Sequence, residues 1–256
     1  MRASTVRVLG ALFFVVIVAA PFAAAEDLVV YAASSLTEAF QQTAKAFEAA
    51  HPGAHVLLNF GGSSTLSTQI AQGAPADVFA SANVAQMAVV VDDGLIAEPP
   101  VDFAGNKLVV VAASGTTITS ARDLASKGIR IVLAGPAVPV GAYTRQSLQK
   151  LDAIYGPDFS RRVMANVVSE ELNVREVAAK VELGEADAAI VYTTDAAVMH
   201  GVDVVQIPDQ ANVVARYQIA AVKASAHLPL ARAFVDYVLS SSGQAILQQH
   251  GFTAAP

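Results

Sequence analysis

Short apolar runs alternate along this chain with segments whose apolar positions recur every three or four residues. That alternation predicts strands separated by helices. Leu28-Val29-Val30-Tyr31 reads as a buried strand. Leu36, Ala39, Phe40, Thr43 and Phe47 share one helical face, which predicts a helix over 35–50. His51-Pro52-Gly53 ends it, because proline cannot extend the ladder and glycine tolerates a left-handed turn. The same reading gives strands at 55–60 and 77–80 around a helix at 64–72 that stops at Gly73. Further on, 107–112, 129–133, 188–192, 204–207 and 217–222 read as strands, and 143–151, 174–183, 229–240 and 243–250 as helices. Strand–helix–strand rhythm implies a mainly parallel sheet with helices on its faces. Periodicity fits one large sheet as well as it fits two α/β lobes.

Ahead of this pattern, Arg2 and Arg7 flank the start of an uncharged stretch, 8–25, densest from Leu12 to Val18. Pro21 breaks it, and Ala23-Ala24-Ala25 offers a small-residue cleavage site before Glu26-Asp27. This order predicts a secretory signal peptide, 1–25, cleaved near Ala25. A membrane anchor is the alternative that the length of the stretch allows. An exported chain without cysteine, hence without a lipid-modified one, fits a bacterial periplasm.

With 54% hydrophobic and 15% charged residues, the chain can bury enough surface to fold, which excludes disorder. The lack of cysteine excludes a disulfide scaffold and a cysteine zinc site. The net charge is -6, and loss of Arg2 and Arg7 with no acid moves it to -8. An acidic chain argues against a nucleic-acid partner. His51, His55, His200, His227 and His250 form no H-E-x-x-H pattern, and no nucleophile elbow, phosphate-loop lysine or G-x-G-x-x-G follows a strand. Asp92-Asp93 and Glu170-Glu171 read as acids on solvated turns.

What recurs is a strand that ends in small and hydroxyl residues where a helix begins. Ala32-Ala33-Ser34-Ser35 follows the first strand, with Ser35 and Glu38 at capping-box spacing. Gly61-Gly62-Ser63-Ser64 follows the second, and Gly135 through Tyr143 follows the strand ending at Leu133. Asn173 is a good cap for the helix at Val174. Helix N-termini carry unpaired N–H donors and attract anions, although every helix needs a cap and serine and asparagine are ordinary ones. Tyr192 by itself reads as a half-buried core tyrosine, and Arg175 as either a supporting charge or a surface one.

Several of these segments together resemble the periplasmic molybdate-binding proteins of ABC importers. They are Val30 through Thr37, Phe60 through Leu66, Gln72-Gly73-Ala74-Pro75-Ala76-Asp77-Val78-Phe79, Val138 through Tyr143, Gly184 through Tyr192, and His250-Gly251-Phe252-Thr253. The similarity runs through nearly all of the chain after residue 25. It implies an α/β, two-lobed periplasmic binding protein fold (type II) with mixed, mainly parallel sheets and a ligand cleft between the lobes. Lobe 1 would comprise 26–106 plus 216–256, and lobe 2 would comprise 107–215.

Carried over to this sequence, the family's oxyanion contacts fall on Ser35, Ser63, Val140, Val174 and Tyr192. Each serine would give its hydroxyl and its backbone N–H, the two valines their N–H, and Tyr192 its phenol. None is a direct metal ligand. Ser34 and Val140 stand where the family often has alanine, and the loop at Gly135-Pro136-Ala137 is shorter than in some relatives. The resemblance further implies molybdate or tungstate as ligand, no cofactor, no catalytic residue, an inner-membrane ABC permease as partner and a monomer.

A cage of neutral donors matches a fully deprotonated tetrahedral dianion. Hydrogenphosphate brings a proton that finds no acceptor and costs about 1–3 kcal/mol when buried. Molybdate and tungstate should not be separated, and only cavity volume can exclude sulfate. Other readings are a carrier for sulfate or another oxyanion, an exported serine hydrolase using Ser35 or Ser63, and the effector lobe of a transcription regulator. The hydrolase lacks a histidine in those loops, and the regulator lacks a DNA-binding helix pair.

Overall fold

The computed structural model describes residues 26–256, so the expected signal peptide, 1–25, lies outside the described residues. Strand β1 (Glu26–Ala33) passes through a single 3-10 turn at Ser34–Leu36 into helix α1 (Thr37–Ala50). Then come β2 (Ala54–Gly61), α2 (Ser63–Ala71), β3 (Val78–Ser81), α3 (Val84–Asp92) and β4 (Val101–Asn106). The chain crosses at Lys107 into β5 (Leu108–Ala113), β6 (Ile131–Ala134), α4 (Pro139–Tyr155), α5 (Phe159–Met164), β7 (Val167–Glu171), α6 (Val174–Glu182), β8 (Ala188–Tyr192), α7 (Thr193–Ala196) and β9 (Val202–Gln206). It returns through β10 (Ala215–Ala221) to α8 (Leu228–Leu239) and α9 (Ser241–Gln249).

The strands form two five-stranded sheets, β2-β1-β3-β10-β4 and β7-β6-β8-β5-β9. In the first, β1 runs parallel to β2 and β3, and β10 is antiparallel to β3 and β4. In the second, β6 runs parallel to β7 and β8, and β5 is antiparallel to β8 and β9. Each sheet therefore has one reversed strand and four that share a direction. The reversed strands, β5 and β10, are the ones the chain enters after crossing between sheets. The expectation of mixed, mainly parallel sheets in two lobes agrees with this.

Both faces of the central strands are buried, which is why they read as near-continuous apolar runs. In β1, Leu28, Val30 and Ala32 face a core shared with Phe40 and Phe47 of α1 and Phe234 of α8. Tyr31, on the opposite face, joins Leu66 and Ile70 of α2 and Met87 and Val90 of α3. The period-2 alternation of a strand thus feeds two helical layers.

Three expectations change. Helix α1 starts at Thr37 rather than Ser35, and its entry has no side-chain cap, so the Ser35–Glu38 capping box is not made. Glu38 instead reaches Arg175, as described below. Helix α4 begins at Pro139, ahead of the expected 143, because proline suits the first helical turn. Glu170 and Glu171 close strand β7 instead of lying on a turn. Arg145 pairs with Glu170, and Lys180 lies 3.3 Å from Glu171. Asp92 ends α3 and Asp93 caps it, both exposed.

Candidate functional site

The parallel strands of each lobe point their carboxyl ends at the other lobe. In open α/β sheets, that is where a crevice for ligands forms. Six strand ends meet there: β1, β2 and β3 from the first lobe and β6, β7 and β8 from the second. Between them lies a small cavity of about 10 Å³, lined by Ser34, Ser35, Gly62, Ser63, Val138, Val140, Val174 and Tyr192 among others. It is far smaller than the site of a drug-sized ligand. Ser35, Ser63, Val140, Val174 and Tyr192, far apart in sequence, all line it.

The amides at this cavity are unclaimed for a local reason. No side chain caps the turn at Ser34–Leu36, the start of α2 or the start of α4 among the described residues. The first-turn N–H groups there have no intrahelical partner either. At α6, Asn173 does cap, as expected, but its Oδ1 accepts from Arg175 N–H (2.9 Å) and Glu176 N–H (3.0 Å). The Val174 N–H, one position earlier, is left over.

The side chains continue the theme. Ala82 N–H donates to Ser63 Oγ at 3.0 Å, so the Ser63 proton points elsewhere. Ser35 Oγ lies 2.8 Å from Tyr217 Oη. Tyr192 Oη is buried and has no hydrogen-bond partner among the described residues. Burial, followed by the nearby Tyr217, Tyr143 and Asp195, pushes its phenol well above the usual tyrosine range, so it stays a protonated donor. A buried orphan hydroxyl in a cavity of unclaimed amides asks for an acceptor.

One charged group stands beside the site. Arg175 on α6 donates two hydrogen bonds to Glu38 on α1, at 3.0 and 2.5 Å, across the lobes. Its Nε lies 2.8 Å from Oδ1 of Asp195, which is fully buried. Burial raises the Asp195 carboxyl to about 7, against the pull of Arg175 and with a further push from Glu38. Arg175 is therefore a supporting charge, not a surface one, and it does not line the cavity. Among the described residues, no cluster of His, Asp and Glu converges to hold a metal ion.

Sequence reasoning missed Asn106 and Tyr217 behind Ser35, the contact of Gly62 with the other lobe, and the partners of Arg175, which are Glu38 and Asp195. Only folding brings these distant positions together, and no local motif marks their pairing.

A family model described as bacterial extracellular solute-binding protein matches residues 28–253. The chain is 44% identical to the molybdate-binding protein ModA of Mycobacterium tuberculosis (strain ATCC 25618 / H37Rv) over 237 residues, 91% of this chain and 87% of that protein. Among solved structures, the periplasmic molybdate-binding protein of Azotobacter vinelandii has a TM-score of 0.77 at 23% identity, covering 90% of this chain and 100% of that one. The sulfate-binding protein SubI of Mycobacterium tuberculosis H37Rv has a TM-score of 0.80 at 21% identity, covering 89% and 86%. These two structures share the fold with this chain, and at such identity they carry no more than that.

Proposed function

The chain belongs to the bacterial extracellular solute-binding protein family, and from that premise we propose that it captures molybdate, or tungstate, between its lobes and delivers it to an ABC permease. The relative named above, 44% identical, is a molybdate-binding protein. The observation that carries the reading is the orphan Tyr192 hydroxyl facing a cavity whose other polar groups are amides and serine hydroxyls. Ser35, Ser63, Val140, Val174 and Tyr192 are the ligand contacts on this reading.

Hydrogen bonds to a charged group contribute about 1.5–3 kcal/mol each, and a helix N-terminus about 0.3–1 more. Two donors from each serine and one from each other contact can therefore hold a dianion without a lysine or arginine in the cavity. Export, with 1–25 as signal peptide, goes with this role. Among the described residues, no helix is long and apolar enough to cross a membrane. The serines are donors in this reading, not nucleophiles. Ser63 Oγ is bonded by an amide and Ser35 Oγ by a phenol, and neither partner is a base.

Thermal unfolding with molybdate, tungstate, sulfate and inorganic phosphate at equal concentration tests the reading. A ligand at a hundred times its Kd adds about 2.7 kcal/mol. Molybdate and tungstate should stabilise alike, and phosphate should not. Stabilisation by phosphate or sulfate, with none by molybdate, would overturn the assignment. Tyr192→Phe should weaken molybdate binding about tenfold or more, the equivalent of one charge-assisted hydrogen bond.

A further inference from the structure

Ser35 Oγ lies 2.8 Å from Tyr217 Oη, so Ser35 can give its proton to a ligand only if Tyr217 is the donor between the two. The direction can be traced from a group that cannot reverse. The backbone N–H of Lys107 lies 3.0 Å from Asn106 Oδ1, and a backbone amide only donates. That contact fixes the carboxamide: Oδ1 accepts from Lys107 and also from Thr193 Oγ1 at 2.8 Å. The amide nitrogen then faces Thr194 Oγ1 at 2.8 Å and Tyr217 Oη at 3.4 Å. Tyr217 Oη accepts from Asn106 across 3.4 Å, which turns its own proton away from Asn106 and leaves Ser35 Oγ, 2.8 Å away, as the acceptor within reach. The Ser35 proton is thereby released toward the cavity.

Asn106 and Tyr217 are both fully buried, and neither lines the cavity. On the opposite side, the Ala82 amide does the same for Ser63. That amide is backbone and cannot be varied, whereas the Asn106–Tyr217 relay can.

We propose that Asn106, acting through Tyr217, is a selectivity-determining pair that holds Ser35 as an obligate donor, so that the site refuses oxyanions carrying a proton. This inference rests on the reading of the cavity as an oxyanion site. Both residues are positioning residues, since each acts through the next oxygen along. If the relay is cut, nothing holds the Ser35 hydroxyl in one orientation, and its oxygen can turn a lone pair toward the proton of hydrogenphosphate. If it is reversed, Ser35 donates to Tyr217 and faces the ligand as an acceptor.

Two substitutions separate these cases. Tyr217→Phe cuts the relay while keeping the ring. Asn106→Asp reverses it: a carboxylate there accepts from Lys107 N–H, Thr193, Thr194 and Tyr217, all of which can donate. Binding of molybdate and of inorganic phosphate, which keeps a proton throughout the neutral range, is measured by titration calorimetry for wild type and both variants, with thermal unfolding as the check on folding. The readout is the ratio of phosphate to molybdate affinity. The titrations are run on the alkaline side of neutral, where hydrogenphosphate and molybdate are both dianions, so that the ratio removes the repulsion of both by the new buried charge in Asn106→Asp. The ratio should rise tenfold or more in Tyr217→Phe and further in Asn106→Asp, whose molybdate affinity should also fall more than tenfold.

A folded Tyr217→Phe protein whose ratio stays within twofold of wild type overturns the inference, even if its affinity for both ions has dropped, because that is the result of a purely structural role. Wild-type protein that binds no molybdate would count against the functional reading itself.

Discussion

Asp195 is fully buried, and its carboxyl is raised to about 7, mainly by loss of water and partly by Glu38. In the unfolded chain an aspartate titrates near 3.9. Between about pH 4 and 7 the folded protein therefore holds the proton more tightly than the unfolded chain does. Its contribution to stability falls as pH rises through that window and is level above it. The depressed carboxyls of Asp102, Asp123, Asp152 and Asp187 act below this window and with opposite sign. Urea unfolding between pH 5 and 8 should show the fall in wild type and its absence in Asp195→Asn. An unchanged slope would mean that the carboxylate is ionised across the range. At the same scale, Ser63→Ala removes a proposed ligand donor and leaves the buried Ala82 N–H unpaired. It should cost about 1–3 kcal/mol of stability as well as affinity.

At the scale of elements, the site depends on how closely a helix start approaches the facing loop. Gly62, the residue before α2, has φ -65 and ψ 133, a conformation open to any residue. Yet a Cβ there would lie 2.1 Å from the carbonyl oxygen of Leu172, in the segment between β7 and α6 of the other lobe. The glycine is required by closure and not by its own lobe. Gly62→Ala should therefore keep its fold and thermal stability without ligand, while losing molybdate affinity at least tenfold. Calorimetry and unfolding on the same sample check both. A variant that is destabilised without ligand would place the constraint inside the lobe. Helix α4 is tied down similarly, since a Cβ on Gly141 would meet Gly135 O at 2.1 Å.

For the whole molecule, polar contacts join the lobes at the crossing, through Asn106 with Thr193 and Thr194 and Arg216 N–H with Tyr143 Oη, and again beside the cavity. Arg175 bonds Glu38, and Gln86 Nε2 donates to Ala137 O at 2.9 Å. A ligand that bonds to both lobes favours the closed arrangement by its differential contacts, and these links bias the same equilibrium. Glu38→Gln should weaken the closed form by about 0.2–1 kcal/mol, the range for partly exposed ion pairs. Ligand affinity should then drop by less than about sixfold, with the lobes' own stability little changed. It should also lower the pH at which Asp195 titrates, since Glu38 holds that value up. Comparing ligand-free and loaded protein by small-angle scattering, in wild type and Glu38→Gln, reads the closure directly.

Most strands and helices were legible from period alone. The exceptions have physical reasons. Strands β4 and β7 lie at sheet edges and carry polar residues, Asp102 and Asn106 in one and Glu170 and Glu171 in the other, so neither reads as an apolar run. Helix α3 is rich in valine, which obscures its helical period, and it buries only Met87 and Val90. Strand ends rich in small and hydroxyl residues marked Ser35 and Ser63, because amide donors must be left bare and uncrowded there. Val140 and Val174 came only from family resemblance, since a main-chain donor leaves no trace in side-chain chemistry; Tyr192 did too, because a tyrosine that ends an apolar strand reads as core. Sequence thus determined the elements and the polar loops, which depend on local period and composition, while the two-lobed class came from the family resemblance. Tertiary structure decided that Asn106 and Tyr217 stand behind Ser35, that Gly62 meets Leu172, and that Arg175 spans two carboxylates. Those relations depend on distances between residues far apart in the chain, and no short-range pattern encodes them.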